Sequence, residues 1–73
     1  MGRNLKLVSG AEAVKKLQRA GWTVMRQKGS HVMLTKQDYQ WTLSVPQHDE
    51  IGPGLLRKLL SQAGLTVEEF NEL

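Results

Sequence analysis

No cysteine occurs in this chain of 73 residues, and that combination leaves few ways to fold. A domain so short buries only about 60% of the surface its unfolded chain exposes. Small domains commonly make up the deficit with disulfides or a thiolate-held metal, and neither is available here. One apolar core has to carry the whole chain, which predicts a single domain over residues 1–73. With 40% hydrophobic and 23% charged residues, the composition is that of a folded soluble domain and argues against disorder or a rod. No apolar stretch is long enough to span a bilayer, and Met1-Gly2-Arg3-Asn4 lacks the apolar run of an export leader. Lys6 stands where a myristoylation signal has serine or threonine. The expected location is the cytoplasm, without membrane contact.

Charge is distributed unevenly. From Met1 to Lys36 eight basic residues face one acid, Glu12, a balance of +7, whereas from Gln37 onward Arg57 and Lys58 face six acids, a balance of −4. A polyanion is the natural partner of such a positive half, and nucleic acid is the first polyanion to consider. The alternative is that these lysines and arginines only solvate helix and strand surfaces.

Turn signals recur about every ten residues and predict short elements in the order α-β-β-β-α with a tail. Ser9 and Glu12 have the spacing of a capping box, and Ala13, Val14, Leu17 and Ala20 follow at helical intervals before Gly21. The polar side of that helix carries Lys15, Lys16 and Arg19. Trp22 to Lys28 and His31 to Lys36 are two runs of strand formers around Gly29-Ser30, a hairpin signal. A third strand is expected from Trp41 to Val45, stopped by Pro46. Strand alternation puts Trp41, Leu43 and Val45 on one face. It turns His31 outward with Met33, and Met25 is expected beside them, an exposed adaptable surface suited to a partner. Gly52-Pro53 opens a second helix whose stripe is Leu55, Leu56, Leu59, Leu60 and Ala63, ending at Gly64. Thr66 and Glu69 form a second capping box for a short tail helix with Val67, Phe70 and Leu73 inward. The fold class is α+β, a three-stranded antiparallel sheet with two helices on one face. Trp22 and Trp41 are both expected in the core rather than stacked on bases.

Only two residues are of the type that shuttles protons near neutral pH, His31 and His48. They have no metal-ligand spacing, and the adjacent Asp49 and Glu50 diverge in direction, so no metal and no small-molecule cofactor is expected. RNA carries its own nucleophile, the 2′-hydroxyl. Cleaving it requires a base, an acid and cations for the phosphate charge, and no metal. His31 has the titrating group, and Lys28 and Arg26 on the neighbouring strand, or Lys36 beyond, have the charge. Taken alone, His31 reads as an ordinary surface residue of a strand, since an isolated histidine on a sheet is usually inert.

A longer pattern bears on that choice. The stretch Gly21-Trp22-Thr23-Val24-Met25-Arg26-Gln27-Lys28-Gly29-Ser30-His31, followed by Val45-Pro46-Gln47-His48 and by Gly54-Leu55-Leu56-Arg57 through Gln62-Ala63-Gly64-Leu65, resembles the HicA-type toxins. In that family a Gly-aromatic pair precedes a strand and a Gly-Ser-His opens the next. The likeness runs from about Val8 to Phe70. It implies a fold like that of double-stranded-RNA-binding domains. It also implies the toxin of a type II toxin–antitoxin system, a metal-independent endoribonuclease (mRNA interferase) that cleaves mRNA and is inhibited by a HicB-type antitoxin. The histidine of Gly-Ser-His is the family's catalytic residue and maps onto His31. Many members carry a second histidine directly after it, where this chain has Val32. Lys28, Arg26, Ser30 and Lys36 are then the phosphate-binding candidates, with His48 and Arg57 as auxiliaries. The antitoxin is expected to cover the Met25, Met33 and His31 face with acidic residues. A non-catalytic RNA-binding module of the same fold, or an adaptor docking through its methionine face, are the alternatives.

Overall fold

The computed structural model describes residues 4–73. The Met1-Gly2 signals read above, and Arg3 of the basic half, lie outside them. The chain runs α1 (Gly10–Arg19), β1 (Thr23–Lys28), β2 (His31–Thr35), β3 (Leu43–Pro46), α2 (Pro53–Ala63) and α3 (Val67–Asn71). This is the α+β order the sequence predicts.

Local chemistry sets the ends of these elements. The Ser9 hydroxyl accepts from the Glu12 N–H at 3.1 Å, and the Glu12 carboxylate accepts the Ser9 N–H at 3.3 Å. Thr66 and Glu69 repeat the exchange at 3.1 and 2.8 Å at the start of α3. Such reciprocal bonds satisfy amides that a first helical turn leaves unpaired. Gly64 closes α2 at φ 73°, a left-handed conformation that glycine adopts without strain.

The sheet is antiparallel in the order β1-β2-β3. Leu34, Leu43 and Val45 turn from it into a cluster with Ala13 and Leu17 of α1, Leu56, Leu59, Leu60 and Ala63 of α2, and Phe70 of α3, all buried. Both long helices therefore cover one face of the sheet. Leu59 is 3% exposed, so Leu59→Ala is expected to cost about 2–5 kcal/mol of stability. The measurement is the urea midpoint, and an unchanged midpoint would remove Leu59 from the core.

The structure corrects the sequence reading in three places. β3 begins at Leu43, not Trp41, and Trp41 is 50% exposed rather than in the core. Positions 41 and 42 precede the ladder, so alternation carried back from Leu43 does not govern them. Pro46 is itself the last strand residue, opposite His31, at a sheet edge where a missing N–H is tolerated. Leu55 lies on the flank of the α2 stripe and is 39% exposed.

A register shift in β1 decides the chemistry of the outer face. Val24 pairs with Leu34, but Arg26 pairs with Met33 and Lys28 with His31. Met25 is therefore the extra residue of a β-bulge, which shifts the alternation of every later residue on β1. Simple alternation with Met25 outward would turn Arg26 and Lys28 to the core side. With the bulge they share the face of Met33 and His31 instead.

Candidate active site

Gly29 and Ser30 make the two-residue turn between β1 and β2, with Gly29 at φ 59°. Glycine at the first central position, followed by a residue of ordinary negative φ, is the requirement of a II′ hairpin turn. The Gln27 side-chain amide donates to the Gly29 carbonyl at 3.1 Å and ties the turn down. His31 is the first residue after it, exposed on the outer face between Lys28 of β1 and Pro46 of β3.

A second set of bonds fixes the turn from behind. The Gln47 N–H donates to the Ser30 carbonyl at 2.7 Å, and the Gly10 N–H donates to the His48 carbonyl at 2.9 Å. The first turn of α1 thus holds the loop that holds the His31 turn. Glycine is required there, because a Cβ at Gly10 would overlap the Pro46 carbonyl oxygen and approach the Gln47 Cα to 2.7 Å. Gly10→Ala is expected to cost about 1–3 kcal/mol through this overlap and to shift the His31 amide resonance. An unchanged melting curve and spectrum would show that this contact does not support the turn.

Beside His31 the sheet and α2 enclose a cleft of about 280 Å³. His31, Thr42, Ser44 and Pro46 form its sheet side. Leu55, Lys58, Leu59 and Gln62 form its helix side. Lys58 was not singled out from the sequence. Its place next to Arg57 on a helix flank reads as ordinary solvation, and only the packing of α2 along β3 brings it to the cleft that His31 also lines.

The structure gathers some of the expected site residues and separates others. His31, Lys28, Arg26 and Ser30 cluster at the turn and on the outer face. His48 is exposed in the loop directly after Gln47, which is bonded to the turn. Arg57 is exposed on α2 but does not line the cleft. Lys36 lies beyond the far end of β2, about 16 Å along the strand from His31 at the usual rise per residue. Its ammonium donates to the Ala20 carbonyl at 2.8 Å and sits 5.0 Å from the Tyr39 ring centroid. There it caps the C-terminus of α1, a favourable place for a cation. Trp22 is buried and meets Tyr39 with ring centroids 5.2 Å apart, so it is a core residue as expected. Among the described residues no three of His, Cys, Asp and Glu converge on a metal position, and no helix is long and apolar enough to cross a membrane.

A small antiparallel sheet backed by helices, with an exposed histidine at a glycine turn and cations on its open face, defines a compact α+β domain. The chain matches, over residues 10–65, the family described as the HicA toxin of bacterial toxin–antitoxin systems. It belongs to that family. Among solved structures it is similar to a chain of a toxin–antitoxin complex from Streptococcus pneumoniae, at 34% identity and a TM-score of 0.70, over 80% of this chain and 98% of that one. No curated protein matches it.

Proposed function

We propose that this toxin is a metal-independent endoribonuclease that cleaves mRNA at the 2′-hydroxyl, with His31 as the proton-transferring group. The observation that carries the reading is the bulge at Met25, which puts Lys28 and Arg26 on the same open face as His31. In the reaction the 2′-oxygen loses its proton, attacks the adjacent phosphorus and displaces the 5′-oxygen, which takes up a proton. His31 serves one of these transfers, and His48, the other histidine, on the adjoining loop, is the candidate for the second. Lys28 and Arg26 stabilise the charge that develops on the phosphate oxygens, and Ser30 offers a hydroxyl at the turn. Lys36 has no part, since its ammonium is engaged at the end of α1.

The partner in this reading is a HicB-type antitoxin. An inhibitor that silences such a site has to cover His31 and neutralise Arg26 and Lys28, so its contacting surface is acidic. The S. pneumoniae relative occurs in a toxin–antitoxin complex, which supports a partner of this kind. The cytoplasm, where mRNA is found, is the place of action. The test is incubation of purified protein with mRNA in EDTA. Cleavage establishes the reading, and retention of intact RNA would make the chain a binding module instead.

A further inference from the structure

The cleft between β3 and α2 has the properties of a subsite in its own right. Lys58 is exposed beside it, and no hydrogen bond or ion pair among the described residues engages its ammonium. Lys16 and Lys36 contrast with it, since both ammoniums are bound to backbone carbonyls. The lining sets the exposed Leu55 and the edge of the buried Leu59 against the hydroxyls of Thr42 and Ser44 and the amide of Gln62. An unpaired base needs a non-polar face to lie on and hydrogen-bonding groups at its edge. At about 280 Å³ the cleft sits at the lower limit of small-ligand sites, large enough for one nucleotide and too small for a helix. A duplex keeps its bases stacked and paired, and presents none of them to such a recess without paying for unpairing.

We propose that this cleft binds one unpaired nucleotide of the RNA next to the bond cleaved at His31. In it Lys58 contacts the phosphate, Leu55 receives the base, and Gln62 pairs with the base edge. The proposal rests on the ribonuclease reading of His31 and adds strandedness to it. Despite an element order shared with duplex-binding domains, the preferred substrate is single-stranded.

The probe is a short 2′-O-methyl oligonucleotide, which cannot be cleaved, used as a single strand and as a duplex. Its affinity for the full chain is measured by fluorescence anisotropy over a range of salt. The single strand is expected to bind at least about tenfold tighter than the duplex. Lys58→Ala is expected to weaken single-strand binding about tenfold, the size of one charge-assisted contact. It should also reduce the salt slope by about 0.7, one phosphate on a single strand. Lys58→Arg should restore most of the affinity, and Gln62→Ala should weaken binding with the slope unchanged. Equal binding of duplex and single strand, or a Lys58→Ala variant with unaltered affinity and slope, would overturn the proposal. Cleavage of ordinary RNA, scored separately, distinguishes the two readings. Lys58-dependent binding without cleavage would remove the ribonuclease and leave the subsite. Cleavage with binding indifferent to Lys58 would do the reverse.

Discussion

Replacing His31 by alanine is expected to abolish RNA cleavage and leave the fold intact. The imidazole is exposed at the start of β2 and is absent from the apolar cluster, and surface substitutions of this kind usually change stability by no more than about 0.5 kcal/mol. A positioned proton-transfer group contributes about 10²- to 10⁴-fold to rate, and the next residue on the strand is Val32. No neighbouring ring on the strand can substitute for it. The comparison is a cleavage time course of parent and variant after their melting curves have been shown to coincide. A folded His31→Ala protein that cuts RNA at the parent rate would take the catalytic role from this residue.

The second large effect concerns stability and lies outside the segment matched to the family, residues 10–65. Phe70 is 1% exposed although it sits in a helix of only five residues. A helix so short has little stability of its own. Its hold on the domain comes from burying Phe70 and from Lys16, whose ammonium donates to the Phe70 and Leu73 carbonyls at 3.1 and 3.3 Å and lies 5.0 Å from the ring centroid. The Asn71 side-chain amide adds a bond to the Asn4 carbonyl at 3.0 Å, joining the two ends of the described chain. Phe70→Ala is expected to cost about 3–5 kcal/mol, most of the stability usual for so small a domain. In a circular dichroism melt this is a fall of about 12 °C or more. A fall of a few degrees would show that the tail helix merely decorates a core complete without it.

Much of this was legible from residues that act locally. Ser9 with Glu12 and Thr66 with Glu69 each specify a helix start through neighbours three residues apart, and Gly64 specifies a stop through its own backbone. Gly29-Ser30 announced the turn that presents His31. What the sequence concealed depends on contacts between elements. The Met25 bulge adds one residue to β1 without any marker in its side chains, so alternation alone does not show that Arg26 and Lys28 share the face of His31. Ile51, fully buried between Glu50 and Gly52, belongs to no periodic run. Its N–H donates to the Val8 carbonyl at 2.9 Å, so it enters the core through a loop contact. Trp41 and Leu55 looked internal because each continues an apolar pattern just past the point where packing ends. Lys36 looked like a phosphate ligand because charge alone does not reveal that Ala20 of α1 lies within its reach. Lys58 lines the same cleft as His31 only because α2 packs along β3.

The most direct test is the chemistry of the cut itself. Purified toxin is incubated in EDTA with an RNA strand and with a strand of the same sequence carrying deoxyribose, and the ends of any products are analysed. Attack by the 2′-oxygen requires that the RNA be cut without metal, leaving a 2′,3′-cyclic phosphate and a 5′-hydroxyl, and that the deoxyribose strand survive. Cleavage of both strands, or cleavage of RNA that stops when divalent ions are removed, would contradict a mechanism built on His31 and the substrate's own hydroxyl.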